Sequence, residues 1–435
     1  MSRRPAERRP SYGRHSPTVG ERGERTRASI VGSTLRLLDE RGFHGTLVDD
    51  IATDAGVSRA TLYQYFESKD SIFLELAEES GAALIRVLKR LGPLTPTREG
   101  FDELLRWVTE WTDVFDRYAT IFIQWSNVNS PEAELSRRLG KFLDSHTSRL
   151  ARHLAQCGAT GIDPDATAVL FLSLLERGHY LRSLHWNRER PTSAFTGSLA
   201  IAFQLYLFPH TPPDALPAAP APSTRRRRKR NGPSTAAPAA RFTGLTPQGR
   251  RTVARLLDAG ADVLAANGYA TTTVDQIVVG AGVARGTFYK YFDDRLDLVR
   301  ALAEECSSEL DVLDEAFARI APADLRSWLE RFLAFRRRYS GVLRVWTERF
   351  PDDPAVASMA ERTAANTSAA YVQCCDRLGG APVLHRASGA LMLMAMLEHF
   401  PGRSRGTAHE LADGQVVDAQ LRLLTTSLLG RLPVG

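Results

Sequence analysis

The chain contains the same segment twice. Gly42–Phe66 reads GFHGTLVDDIATDAGVSRATLYQYF and Gly268–Phe292 reads GYATTTVDQIVVGAGVARGTFYKYF, at a constant offset of 226 with 13 of 25 positions identical. The match extends backwards, where Ile30, Val31 and Leu38 face Leu256, Leu257 and Leu264. It also extends forwards. Trp107, Tyr118 and Trp125 recur as Trp328, Tyr339 and Trp346 at offset 221, and Leu175–Glu176 recurs as Leu397–Glu398 at offset 222. The repeating unit is therefore about 200 residues long, a full module rather than a motif, and loops of slightly different length account for the drift.

Between the copies, residues 209–246 are rich in Pro and Ala and contain the run Arg225–Arg230. Such a segment cannot bury apolar surface and reads as a disordered or partly extended linker, with a flexible span near ~35 Å. Charge follows the same division. Residues 1–27 carry eight Arg against three Glu, and residues 209–246 carry six Arg and one Lys against one Asp. With a net charge of +6 overall, the rest is mildly acidic. Basic tails on ordinary domains suit a polyanionic partner. Either segment can add minor-groove or phosphate contacts, or serve only as a solvated tether.

A hydrophobic content of 43% supports real cores. The apolar stretches Ala168–Leu175 and Ala390–Leu397 are too short to cross a membrane, and the Arg- and Pro-rich start is no secretory leader. No membrane partner is expected. Cys157, Cys306, Cys374 and Cys375 lack CxxC spacing and read as reduced thiols of a cytoplasmic, nucleoid-associated protein, with a vicinal Cys374–Cys375 redox pair as the alternative. His146, His153, His179 and His185 show no metal spacing, and neither a metal nor a cofactor is expected.

Apolar residues recur at spacings of three and four, so both copies are helical. Glu24–Arg41 forms an amphipathic helix stopped by Gly42, and Pro247–Asn267 its counterpart stopped by Gly268. Thr46 and Asp49 form a capping-box-like pair opening a helix over Leu47–Ala55, with Ile51 and Ala55 facing the core. Gly56 supplies a sharp turn, Val57 plugs the angle, and Ser58 caps the next helix, Arg59–Phe66. Ser68 caps a fourth helix from Lys69. Two short helices joined by a Gly-containing turn make a helix-turn-helix, whose second helix enters the major groove of duplex DNA. On that helix Leu62 and Phe66 point inward, whereas Arg59, Ala60, Tyr63 and Gln64 point outward. They offer a guanidinium for guanine edges, a small residue for close approach, and a phenol for phosphates.

These residues carry a resemblance to the TetR/AcrR family of transcriptional regulators. Its signature runs roughly T-x-x-x-I-A-x-x-A-G-V-S-x-x-T-L-Y-x-Y-F-x-S-K. The first copy matches with Thr46, Ile51, Ala52, Ala55, Gly56, Val57, Ser58, Thr61, Leu62, Tyr63, Tyr65, Phe66, Ser68 and Lys69. The second matches with Thr272, Ile277, Ala281, Gly282, Val283, Thr287, Phe288, Tyr289, Tyr291 and Phe292. The resemblance implies an all-α fold of two tandem modules, each a helix-turn-helix domain followed by a helical effector-binding and dimerisation bundle. It also implies that Arg59, Ala60 and Tyr63 approach bases while Thr61, Gln64, Tyr65 and Lys69 hold phosphates, with Thr46 beside them. The counterparts are Arg285, Gly286 and Tyr289, then Thr287, Lys290, Tyr291 and Arg295, with Thr272. The second copy departs where Ala284 replaces the capping Ser, at about 1 kcal/mol. It also departs where Val278 and Val279 replace Ala52 and Thr53, and where Arg295 replaces Lys.

The expected domains are a basic arm (1–23), helix-turn-helix (24–71), effector bundle (72–208), linker (209–246), helix-turn-helix (247–297) and effector bundle (298–435). Aromatic stripes run through both bundles: Trp107, Trp111, Phe115, Tyr118, Phe122 and Trp125, then Trp328, Phe332, Phe335, Tyr339 and Trp346. Stripes at helical spacing are first of all core. Some, with Met392, are also candidate lining for a small apolar or aromatic effector. Two modules on one chain can form an intrachain pseudo-dimer, with helices near Ala166–Leu175 and Ala387–Leu397 packing together. Alternatively, two tandem chains dimerise like with like. The function expected is a ligand-responsive repressor. An architectural DNA-bridging protein without effector is the alternative, and no arrangement of catalytic residues points to an enzyme.

Overall fold

A computed structural model describes residues 20–125, 133–183, 192–218, 242–348, 353–378, 384–403, 408–430 and 432. Most of the basic arm, the run Arg225–Arg230, His185 and the side chain of Trp125 lie outside the described residues. Helices follow in chain order: α1 (Glu21–Gly45), α2 (Val48–Asp54), α3 (Arg59–Tyr65), α4 (Lys69–Lys89), α5 (Arg98–Arg117), α6 (Ala119–Trp125), α7 (Ala133–Ala155), α8 (Pro164–Ser183) and α9 (Thr192–Leu207) complete the first copy. The second comprises α10 (Pro247–Thr271), α11 (Val274–Ala281), α12 (Arg285–Phe288), α13 (Arg295–Ala318), α14 (Leu325–Arg338), α15 (Ser340–Glu348), α16 (Pro354–Leu378), α17 (Arg386–Glu398), α18 (Phe400–Arg403) and α19 (Asp413–Leu423), the last running into a π turn over Leu424–Leu428. No strand occurs among the described residues, and no described helix is long and apolar enough to cross a membrane.

The residues group into two compact units, Met1–Lys89 with Asp113–Ser145, and Arg90–Thr112 with His146–Gly435. In the first unit, α1, α2, α3, α4 and α6 close around Ile30, Leu38, Ile51, Leu62, Phe73 and Ile121, all fully buried. Each such side chain contributes about 1.5–3 kcal/mol by leaving water. Ala55 and Val57 pack against the same core from the turn. The long helix of α1 breaks at Gly42, the expected stop: Gly42 takes a φ of 70° with ψ 173°, outside the helical range, and a separate short turn follows to Gly45. Gly268 does the same in α10, with φ 71°.

The second unit repeats this packing around Leu256, Leu264, Ile277, Phe288 and Leu298, with α10 against α11, α13 and α15. Behind it, α13 and α16 are joined by buried polar pairs, Asn366 Nδ2 to Asp311 at 2.8 Å and Thr367 Oγ1 to Asp314 at 2.8 Å. The same unit holds α8 and α9 of the first copy. Every residue of Ala166–Leu175 on α8 is buried, as is every residue of Ser388–Leu397 on α17. A helix apolar all round needs partners on all sides. Here α8 and α17 pack on each other, α9 packs on the π turn, and α19 touches both α8 and α9. The thiols of Cys306, Cys374 and Cys375 are buried, and burial pushes Cys374 up to about 11, which disfavours the thiolate that redox exchange needs.

His146 is fully buried, and its burial lowers its pKa to about 4. Below about 6.5 the unfolded chain takes up a proton that the folded chain refuses, so stability falls as pH drops from about 6.5 towards 4. Burial also holds His179 and His399 low, in the same direction. Thermal melts between pH 7 and 4.5 are expected to show this slope, and His146→Gln should shallow it by roughly 3 kcal/mol over the range. An unchanged slope in that variant contradicts the assignment.

Candidate nucleic-acid interface

The recognition surface is built from the turn outward. Gly56 and Gly282 sit at φ 70° and 59°, left-handed values that L side chains avoid, and each turns the chain sharply after α2 or α11. Val57 N–H then bonds Ala52 O at 2.9 Å and Val283 N–H bonds Val278 O at 3.0 Å, so both turns close identically. Ser58 Oγ accepts from Thr61 N–H at 3.0 Å and opens α3. Leu62 and Phe66 are buried beneath it, while Arg59, Ala60, Tyr63 and Gln64 are exposed. In the second copy Phe288 and Phe292 are buried and Arg285, Gly286, Tyr289 and Lys290 are exposed. Tyr63 is 40% and Tyr289 49% accessible, unusual exposure for aromatic rings. Thr61, Tyr65, Thr287 and Tyr291 are half-buried at the edge of this face.

The two recognition helices are unequal. Seven residues are helical in α3 but only four in α12, after which the chain tightens into turns. Ala284 has no side-chain acceptor for the first turn, and Gly286 adds backbone entropy. Ala284→Ser is expected to stabilise the second copy by about 1 kcal/mol and Ser58→Ala to destabilise the first by a similar amount, measured by hydrogen exchange of the recognition-helix amides. Equal protection in Ala284→Ser and the parent would contradict this.

Four expected contact residues turn inward. Thr46 and Thr272 are fully buried: Thr46 Oγ1 donates to Leu37 O at 3.1 Å and Gly42 O at 2.8 Å, and Thr272 Oγ1 donates to Gly268 O at 2.7 Å. Their hydroxyls satisfy carbonyls freed by the glycine break and are not available to DNA. Thr46 therefore does not cap α2, whose N-cap is Leu47. The capping box is found in the second copy instead, where Thr273 and Gln276 bond reciprocally. Lys69 Nζ donates to Phe43 O at 2.5 Å and Thr46 O at 2.9 Å and lies 4.3 Å from the Phe43 ring centre. Arg295 bonds Thr272 O and lies over the Tyr269 ring at 4.0 Å. Both cations clamp the end of the first helix, where a positive charge meets its carbonyls, rather than reaching for phosphate.

Reading the sequence missed a further pair. Asp49 Oδ2 accepts from Arg59 Nη1 at 2.9 Å, and Arg59 Nη2 donates to Tyr63 Oη at 3.3 Å. In the second copy Asp275 accepts from Arg285 at 2.8 and 3.0 Å. The exposed guanidinium is thus oriented by a carboxylate of the preceding helix in both copies. The available signal was that Asp, Arg and Tyr are among the positions kept across the repeat.

The aromatic candidates are packed into cores. Trp107 and Phe203 approach to 6.3 Å, and Trp111 stacks on His179 at 5.5 Å. In the first unit Phe115 stacks on Phe122 at 5.3 Å. Trp328 donates to Leu313 O at 3.0 Å and packs on Phe332, which meets Phe335. Met392 is fully buried and Trp346 is half-buried. Among them lies one polar island, Thr112 Oγ1 3.0 Å from His179 Nε2, with Thr196 adjoining.

Two copies of a helix-turn-helix with a polar, aromatic outer face make this a DNA-binding protein of the helix-turn-helix class. The family model "Bacterial regulatory proteins, tetR family" matches it twice, over residues 30–76 and 256–302. The chain is a TetR-like transcriptional regulator carrying two tandem copies of that domain. It is similar to the biofilm operon icaADBC HTH-type negative transcriptional regulator IcaR of Staphylococcus aureus (strain Newman), 25% identical over 138 residues, 28% of this chain and 72% of the relative. The Staphylococcus epidermidis protein of that name is 28% identical over 105 residues, covering 24% of this chain and 54% of the relative. A solved structure, the TetR family transcriptional regulator PfmR from Thermus thermophilus, aligns at 22% identity over 40% of this chain and 96% of its own, with a TM-score of 0.35.

Proposed function

We propose that this regulator is a ligand-responsive repressor whose two modules pair within one polypeptide and set two recognition helices on one operator. The observation that carries this reading is the packing of α8 against α17, each buried on every face, within a single compact unit. Paired helix-turn-helix heads read half-sites one turn of B-DNA apart, about 34 Å. The bases are met by Arg59, Ala60 and Tyr63 in one head and Arg285, Gly286 and Tyr289 in the other. Thr61, Gln64 and Tyr65, with Thr287, Lys290 and Tyr291, flank them towards the phosphates. Because Gln64 faces Lys290 and Ala60 faces Gly286 across the repeat, the operator is an imperfect palindrome.

Repression is drawn from the relatives named as negative regulators. The effector is small and apolar or aromatic, recognised among Trp107, Trp111 and their neighbours. The Trp107 indole N–H is buried with no acceptor among the described residues, so the ligand brings a hydrogen-bond acceptor to it. The test combines a DNA titration with a ligand screen. One chain should saturate one operator, and one class of apolar or aromatic compound should release it while changing the Trp107 fluorescence. Two chains per operator would favour tandem chains dimerising like with like. A complex that no such compound releases would favour an architectural DNA-bridging protein.

A further inference from the structure

The surface along which the two copies meet inside the second unit is polarised. Arg403, at the end of α18, donates to both carboxylate oxygens of Glu176 on α8 at 2.7 and 2.9 Å and to Thr147 Oγ1 at 3.1 Å. Arg422, on α19, donates to three backbone carbonyls of the first copy: Tyr206 at 2.7 Å, Gly161 at 3.0 Å and Thr160 at 3.1 Å. Gln415 donates to Asp163 at 2.7 Å, and His409 lies 2.7 Å from Asp165 Oδ1. All of these cations and donors belong to the second copy and all of the acceptors to the first. Among the described residues one charged contact runs the other way, Arg177 to Glu398 at 2.8 Å.

The aligned positions of the repeat do not mirror this polarity. The offset of 222 sets Glu176 opposite Glu398 in the alignment, Arg177 opposite His399, and Leu181 opposite Arg403. The pairing Arg177–Glu398 and its mirror contact His399–Glu176, at 3.5 Å, are what a two-fold relation between the copies produces. Arg403 and Arg422 have no mirror contact among the described residues. Leu181 is apolar, and α9, which packs on the π turn following α19, contains no charged residue at all.

Resting on the pseudo-dimer reading above, we infer that Arg403 and Arg422 are the residues that make the first module pair with the second rather than with another copy of itself. Two first modules facing each other would set Asp163, Asp165 and Glu176 of both against Arg177 alone and would leave the Thr160, Gly161 and Tyr206 carbonyls without donors. Two second modules would double Arg403 against Glu398, and the offset of 222 sets His385 and Ala387 where the first copy has Asp163 and Asp165. Unlike modules balance these groups, and specificity comes from the penalty on both like pairs.

The experiment measures solution mass by light scattering, and melting temperature, on the full chain and three variants. The parent should run as one 48.0 kDa chain at all concentrations. Arg403→Leu, which installs the residue of the first copy, should melt lower by on the order of 10 °C. Arg403→Glu should melt lower still and form concentration-dependent dimers. The double variant Glu176→Arg/Arg403→Glu should regain single-chain behaviour and at least half of the lost melting temperature. If Arg403→Leu and Arg403→Glu keep the mass and melting temperature of the parent, or if the double variant recovers nothing, the inference is overturned. If the parent itself runs at twice the chain mass, the pseudo-dimer reading beneath it fails instead.

Discussion

Glu176→Ala is expected to lower the stability of the folded chain by about 3–5 kcal/mol, the cost of leaving a buried charge without its partner. The Arg403 side chain is only 4% exposed and that of Glu176 22%. Burial alone would raise the Glu176 carboxyl, but the Arg403 guanidinium, with help from His399, outweighs it and holds the group well below the usual carboxylate range. Removing the carboxylate strands Arg403 in a dry site with Thr147 as its remaining side-chain partner. An exposed pair, by contrast, contributes little. The exposed Arg319–Glu315 pair serves as the control, and Glu315→Ala should change the melting midpoint by little. The sign with pH follows from the depressed carboxyl. Its stabilisation is present above about pH 4.5 and fades as acid protonates it. Denaturant melts of Glu176→Ala and Glu315→Ala check the difference, and equal losses would contradict the buried-pair account.

Tyr63→Ala combined with Tyr289→Ala is expected to abolish specific DNA binding while leaving the melting temperature nearly unchanged. Both rings are exposed on the outer face of their recognition helices. Tyr63 lies against Arg59 and Tyr289 edge-on to Phe288, each at the surface, so truncation opens no enclosed cavity. Each single variant should bind about ten- to a hundredfold more weakly, in line with the worth of a good base-reading contact. Fluorescence-anisotropy titrations on operator and scrambled duplexes separate this loss from non-specific binding, which is salt-dependent. If either single variant bound as tightly as the parent, that head would not read bases.

How far the sequence alone reached depended on the kind of signal. Turn chemistry was legible, because Gly56, Gly282 and Ser58 each have a short-range reason to be where they are. The inward and outward division of α3 followed from helical spacing, with Leu62 and Phe66 four apart. Long-range satisfaction was not legible. Thr46 and Lys69 look like polar residues beside a DNA-reading helix. Only the fold shows that the break at Gly42 leaves carbonyls at the end of α1 that these two side chains must satisfy. Arg295 and Thr272 misled in the same way for the same reason. The aromatic stripes were legible as buried helix faces, but spacing does not say which neighbour each ring meets, such as His179 for Trp111. The polarity of the α8–α17 surface was hidden as well, since Arg403 and Arg422 meet their acceptors more than 200 residues away in the chain.

Hydroxyl-radical footprinting of the full chain on its upstream region tests the central claim most directly. Two protected half-sites about one helical turn apart are expected, with Tyr63→Ala clearing one and Tyr289→Ala clearing the other. Protection of a single half-site, indifferent to one of the two substitutions, would contradict a chain that reads DNA with both of its heads.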